Sequence, residues 1–165
     1  MIILEQIKTR ESIITFIKIN DEIVIKKQFI NTLSKGSAHR LDFNKCPCKG
    51  PVKGLFDHEV KNLESICYCD HFPKIIYKNN SEMSYLMSYC GDSFNKMKKK
   101  YSKDKIKSLI PKNWEEQIKL ISNTLDNENI YHNDICGNNI CLKDNKLYLI
   151  DFVCTQPLNE KIQNN

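Results

Sequence analysis

The sequence predicts an α+β fold, because strand-like runs joined by turn residues fill its first half and a helical pattern follows them. Residues 13–19 and 22–27 are rich in β-branched side chains, and the turn formers Asn20 and Asp21 between them favour a tight antiparallel hairpin. A length of 165 residues suits one domain, and 41% hydrophobic with 27% charged residues is ordinary globular usage.

A helix is predicted after residue 55, since Phe56, Val60, Leu63 and Cys67 repeat at helical spacing. Glu59 falls inside this apolar stripe. A carboxylate on the buried face of a helix is costly unless it is paired, so we expect Glu59 to have a cationic partner. The alternative is that Glu59 borders the core and reaches water.

Two further pairs of strands are indicated. Residues 74–77 and 83–89 flank a turn at 79–81, and residues 139–142 and 147–150 form a second hairpin. Between these pairs, a helix is predicted from the spacing of Trp114, Ile118, Ile121 and Leu125, with a capping box formed by Asn113 and Glu116.

The net charge of +5 is concentrated in residues 96–112, which hold eight lysines and one acid. Such a run is most often a solvated face, but Lys96–Lys112 is also suited to an acidic partner surface. Only two arginines and few nearby aromatics disfavour nucleic acid. The first apolar run, 1–4, is too short for a signal peptide or membrane span, which favours a cytoplasmic protein.

Cysteines offer a weaker signal for metal. Cys46, Cys48, Cys67 and Cys69, with His71 nearby, are candidate zinc ligands. Structural zinc sites usually leave at least two residues between paired cysteines, so the C-x-C spacing favours reduced thiols over zinc.

The most informative pattern is His132-x-Asp134, then Asn139, then Asp151-Phe152 at the end of an apolar strand. This pattern resembles the catalytic loop H-x-D-x-x-x-x-N and the D-F-G motif of the protein-kinase-like fold. The resemblance implies ATP and Mg²⁺ as cofactors, with Asn139 and Asp151 as metal ligands and Asp134 beside the acceptor hydroxyl.

The resemblance extends to the first half of the chain. The run Ile23-Val24-Ile25-Lys26 is similar to the V-A-I-K strand of kinases, which implies that Lys26 contacts the α- and β-phosphates and pairs with Glu59. Strand parity would place Val24 and Lys26 toward the nucleotide and Lys27 away from it.

Residues 85–91 resemble the strand and hinge that join the kinase lobes. Met87 then takes the gatekeeper place, and Ser88, Tyr89 and Cys90 face adenine. The implied architecture is a minimal two-lobed kinase-like domain, with a nucleotide-binding lobe at 1–89 and a truncated lobe at 90–165.

Three departures from the family pattern bear on activity. No glycine precedes Ile23, so residues 9–12 must cover the phosphates without a glycine-rich loop. Val153 replaces the glycine of D-F-G. The fourteen residues after Asp151 contain no A-P-E motif and are too few for the helices that usually present peptides.

We therefore expect ATP-dependent phosphoryl transfer to Ser/Thr of a protein, with Lys26, Glu59 and Asp134 as catalytic residues. Two alternatives stay open. One is a pseudokinase or nucleotide-binding interaction module without turnover, and the other is a small-molecule phosphotransferase similar to aminoglycoside and choline kinases.

Overall fold

A computed structural model describes residues 1–9, 11–30 and 52–158. Its largest sheet has five antiparallel strands in the order β1-β2-β3-β5-β4. These strands are β1 (Ile2–Lys8), β2 (Ser12–Ile19), β3 (Glu22–Phe29), β4 (Ile75–Asn79) and β5 (Ser84–Ser88). Helix α1 (Val52–Ser65) packs against β3 and β4.

The predicted first hairpin is confirmed by strands β2 and β3, which pair from Ser12 opposite Phe29 to Ile19 opposite Glu22. Asn20 and Asp21 have φ values of 47° and 68°, the positive values that a two-residue hairpin turn requires. Strand β1 was not predicted. It is one of the two outer strands of the sheet. Every residue in it is exposed, so it lacks the alternation that marks a half-buried strand.

Helix α1 agrees with the predicted helix except at its end. Phe56, Glu59, Val60 and Leu63 are buried as expected. The expectation for Cys67 is wrong, because the helix ends at Ser65 and Cys67 lies beyond it, exposed.

The second half of the chain contains three helices and two small sheets within the described residues. The helices are α2 (Phe94–Lys100), α3 (Lys103–Leu109) and α4 (Trp114–Asn127). One sheet has the order β6-β8-β9 and the other pairs β10 with β7. Their strands are β6 (Asp92–Ser93), β7 (Ile130–His132), β8 (Ile140–Lys143), β9 (Lys146–Leu149) and β10 (Thr155–Pro157).

The buried face of helix α4 differs from the predicted apolar stripe. Trp114 and Ile118 are 45% and 37% exposed, and the buried side is completed by Gln117 and Thr124. The capping box is also wrong. The backbone of Asn113 does not have the extended conformation typical of an N-cap residue. Its Oδ1 accepts a hydrogen bond from the Gln117 side chain and none from a backbone N–H of the helix.

One core joins both halves of the chain. It includes Phe29 of the large sheet, Phe56 of α1, Leu125 of α4 and Phe152 after β9. The coarse α+β prediction is therefore confirmed. Across the described ranges, no helix has both the length and the apolar character needed to cross a bilayer.

Candidate nucleotide and metal site

A buried lysine joins the large sheet to the segment after β9. Lys27 Nζ donates hydrogen bonds to Glu59 Oε1 at 2.9 Å and to Asp151 Oδ1 at 2.8 Å. The Lys27 side chain is 4% exposed and that of Glu59 is 1% exposed. The predicted cationic partner of Glu59 thus exists, but it is Lys27 and not Lys26.

The correction follows from the face on which the core lies. Ile25, Lys27 and Phe29 alternate onto the buried face of β3. Lys26 is on the opposite face, where its Nζ lies 3.0 Å from Glu82 and its side chain is 33% exposed. Side chains in a strand alternate between its two faces, so only one of two adjacent lysines can point inward. The burial of Ile25 and Phe29 places Lys27 on the inner face.

Lys27, Glu59 and Asp151 form a charged cluster in which the lysine and the two carboxyl groups shift one another's pKa. Burial disfavours the ammonium, yet Asp151 and Glu59 together raise the pKa of Lys27. Burial also opposes ionisation of Asp151, but Lys27 outweighs it and lowers the pKa of that carboxyl. Burial raises the pKa of Glu59, although Lys27 and the Phe152 N–H, which donates to Oε1, both favour its charged form.

His132 supports the loop that carries Asp134. The Asp134 N–H donates to His132 Nδ1 at 3.4 Å, so the ring proton is on the other nitrogen, Nε2. The Nε2–H group donates to the Ile150 carbonyl at 3.1 Å. Burial lowers the pKa of His132, and its ring stands edge-on to Phe152. A neutral, buried histidine therefore links this loop to the Asp151-Phe152 segment.

Asn139 connects Asp134 to the candidate metal site. Its Nδ2 donates to the Asp134 backbone oxygen at 2.9 Å and to Asp134 Oδ2 at 2.8 Å. Within the described residues, Asn139 Oδ1 accepts no hydrogen bond and is available to a cation. The Asn139 carbonyl accepts from Ile150 N–H at 2.9 Å, which places Asn139 beside the strand end that precedes Asp151.

The two predicted metal ligands, Asn139 and Asp151, therefore belong to the same edge of the β8–β9 hairpin. Asp151 has a φ of 69°, an unusual value for a non-glycine residue that turns its backbone out of the strand direction. A carboxylate and an amide oxygen are hard donors of the kind that Mg²⁺ takes, so the residues present fit that ion.

An apolar cavity lies next to this cluster, between the large sheet and the hairpin. Met87, Ser88, Tyr89 and Cys90, the residues expected at the gatekeeper and hinge places, line it. Val24 does not line it, because Val24 shares the face of Lys26. The sheet contributes Ile14, Phe16 and Ile25, and the hairpin side contributes Cys141 and Ile150.

Sequence reasoning did not identify Thr155, which is 1% exposed and ties α1 to the segment after Asp151. Its hydroxyl donates to the Phe152 carbonyl at 3.0 Å, and it accepts from Asn62 Nδ2 and from His58 Nε2, both at 2.7 Å. No motif marks this contact, because 97 residues separate His58 from Thr155.

The turn between β1 and β2 closes on itself. Thr9 N–H donates to the Ser12 carbonyl at 2.8 Å, and Ser12 N–H donates to Thr9 Oγ1 at 3.0 Å. Both backbone donors are thus engaged within the turn that was predicted to cover the phosphates.

Two of the candidate zinc ligands, Cys46 and Cys48, lie outside the described residues. Of the other three ligands, Cys67 is exposed, Cys69 is buried, and His71 Nδ1 is 2.7 Å from the Leu147 carbonyl. Among the residues that the structure describes, these side chains form no metal-holding group.

Comparison with known proteins provides no family for this chain. No protein-family model matches it, and no curated protein matches it either.

Proposed function

We propose that this protein is a kinase-like phosphotransferase that uses Mg²⁺ and ATP. The observation that carries the proposal is the arrangement around Lys27, in which one buried ammonium bridges Glu59 of α1 and Asp151. Asp151 is the residue that the sequence pattern nominates as a metal ligand, and a second one, Asn139, lies at the same edge of the hairpin.

Each residue of this cluster has a chemical task in phosphoryl transfer. Lys27, held by Glu59, would contact the α- and β-phosphates in the place first expected for Lys26. Asn139 Oδ1 and Asp151 would hold Mg²⁺, which neutralises charge on the phosphates when bound. Asp134, oriented by Asn139 Nδ2, would accept the hydrogen bond of the acceptor hydroxyl.

The adenine ring would occupy the apolar cavity. Phe16 and Ile25 offer apolar contacts from the sheet, and the segment from Met87 to Cys90 offers backbone groups on the other side. An apolar cavity beside a charged cluster suits a nucleotide, whose base is largely apolar and whose phosphates are charged.

We propose a Ser/Thr side chain of a protein with an acidic surface as the acceptor. The start of α2 is tied to the catalytic loop, since Asn95 N–H donates to the Gly137 carbonyl and Asn95 Nδ2 donates to Asn138 Oδ1. The α2–α3 segment, which follows Asn95, carries exposed lysines, namely Lys98, Lys99, Lys103, Lys105 and Lys107. Their field would favour an acidic partner at low salt.

Turnover of labelled Mg-ATP tests the proposal. Asp134→Ala and Asp151→Asn should each lower the rate by at least about a hundredfold, the scale of lost acid–base or metal assistance. Asp144→Asn, in the exposed turn of the β8–β9 hairpin, is the matched control and should retain activity. Unchanged rates in both site variants would refute the proposal. Label transferred only to aminoglycosides, choline or sugars would overturn the protein acceptor.

A nucleotide-binding module without turnover is the second candidate. The closed turn at Thr9 and Ser12 favours it, because those backbone donors are not directed at phosphates. Such a module should gain thermal stability with millimolar Mg-ATP by mass action, yet release no product. Absence of any thermal shift would count against both candidates.

A further inference from the structure

Two buried side-chain oxygens lack a hydrogen bond within the described residues, Glu59 Oε2 and Tyr85 Oη. Oε2 is nevertheless ion-paired, because it lies 2.8 Å from Lys27 Nζ, whose hydrogen bonds go to Glu59 Oε1 and Asp151 Oδ1. The Tyr85 hydroxyl, in contrast, requires an explanation at such depth, because it would keep a hydrogen bond with water in the unfolded chain.

The two oxygens belong to neighbouring side chains. Tyr85 lies on β5 directly opposite Lys27 of β3, and it is 1% exposed. The Tyr85 ring also packs on Phe56, which precedes Glu59 by about one turn of α1. Burial, followed by the Glu59 carboxylate, raises the pKa of Tyr85 well above its usual value. The phenol has a hydrogen to donate, and Oε2 has lone pairs to accept it.

The surroundings of Glu59 leave this role to Tyr85. Lys27 approaches from β3, Asp151 adds like charge from the segment after β9, and the Phe152 N–H is already engaged with Oε1. Beside these groups, the Tyr85 hydroxyl is a buried donor without a hydrogen-bond partner in the described part of the chain, and a carboxylate oxygen can accept it in addition to its ion pair with Lys27.

We propose that Tyr85 is a positioning residue, whose hydroxyl donates to Glu59 Oε2 and thereby holds the carboxylate that orients Lys27. This hydrogen bond requires no ligand, whereas its consequence for nucleotide binding rests on the proposed function.

The competing explanation is that Tyr85 serves only the core. Its ring packs on Phe29 and Phe56 at centroid distances of 6.5 and 6.4 Å. Tyr85→Phe retains that packing and removes only the hydroxyl, so the two explanations can be separated. Tyr77→Phe is the matched control, since Tyr77 is 59% exposed on β4.

The first measurement is the ¹³Cζ NMR shift of the tyrosine-labelled 165-residue chain without nucleotide. The chain has seven tyrosines, and loss of one signal in Tyr85→Phe assigns the resonance. A phenol that donates to a carboxylate should resonate downfield of the exposed Tyr77, and Glu59→Gln or Glu59→Asp should move it upfield. A Tyr85 resonance that neither variant moves would overturn the proposal.

The second measurement is the dissociation constant for Mg-ATP. Tyr85→Phe should weaken binding about threefold to tenfold, the scale of part of a hydrogen bond to a charged group, while Tyr77→Phe should not. In a Glu59→Gln background, the effect of Tyr85→Phe should disappear. An equal effect in both backgrounds would overturn the positioning role. If the wild type binds no Mg-ATP, the proposed function fails, and the NMR measurement still decides the hydrogen bond.

Discussion

Lys27 Nζ and Asp151 Oδ1 lie 2.8 Å apart although 124 residues separate them in the chain. Lys27 belongs to a strand of the large sheet, and Asp151 follows the β8–β9 hairpin. Because this contact also includes Glu59 of α1, three separate elements must dock before the candidate site exists.

The neighbouring lysines Lys26 and Lys27 should behave differently when each is replaced by methionine. Lys27→Met leaves Glu59 and Asp151 without their cation, and breaking a buried pair costs about 3–5 kcal/mol. Because the Asp151 side chain is 39% exposed, we expect about 2 kcal/mol in urea unfolding and loss of Mg-ATP binding. Lys26→Met should unfold and bind like the wild type. Equal losses in the two variants would contradict the assignment of Lys27.

Thr155 should stabilise α1 through its hydroxyl. Thr155→Val keeps the shape but leaves Asn62 and His58 without their acceptor, so we expect a loss of about 1–3 kcal/mol. Hydrogen exchange should become faster in α1, and Thr155→Ser should restore most of the protection. Unaltered exchange in Thr155→Val would show that these contacts do not hold the helix.

Gly91 should tolerate no side chain. Its φ is +89°, and an added Cβ would collide with the Leu142 backbone carbonyl. Gly91→Ala should therefore lower stability by about 1–3 kcal/mol in thermal or urea unfolding. Gly54→Ala is the control, because Gly54 is exposed within α1, where alanine is the better helix former. A Gly91→Ala protein as stable as Gly54→Ala would contradict the described backbone.

Asp92 should contribute stability that depends on pH. It accepts a hydrogen bond from Tyr89 and lies 2.6 Å from Lys100 Nζ and 3.4 Å from Lys96 Nζ. Burial disfavours its ionised form, but Lys100 and Lys96 outweigh burial and lower the pKa of Asp92.

A carboxyl with a lowered pKa stabilises the fold above its unfolded value, about 3.9, and loses that contribution as the pH falls through the folded value. Asp92→Asn should therefore be less stable than the wild type by about 0.5–1 kcal/mol at pH 7. The difference should shrink below about pH 4 and in high salt. A difference that stays constant from pH 7 to pH 3 would show that the charge of Asp92 is not involved.

Local chemistry made several elements predictable. Asn20 and Asp21 accept positive φ between two β-branched runs, so the β2–β3 hairpin follows from nearest neighbours. The position of Glu59 inside an apolar stripe predicted a cationic partner, although the stripe does not identify which residue that partner is. The positions of Asn139 and Asp151, just before and after a hairpin, predicted that both lie at one edge of it, because antiparallel pairing returns the chain to its starting edge.

Other features depended on contacts that no local pattern encodes. Strand β1 is exposed along its whole length, so its sequence shows no alternation of buried and exposed residues. Only its pairing with β2 identifies it as a strand. The Thr155 contacts with His58 and Asn62 join residues more than ninety positions apart.

From the amino-acid pattern alone, Glu59 inside an apolar stripe favours a cationic partner, and Asp151 follows the last strand of a hairpin. Which side chain serves as that partner depends on how the sheet docks on the helix, and the docked elements select Lys27. A strand presents alternate residues to each face, and both Lys26 and Lys27 satisfy local propensity equally. The choice follows from the burial of Ile25 and Phe29 against α1 and β5, because moving the register by one residue would expose both of them.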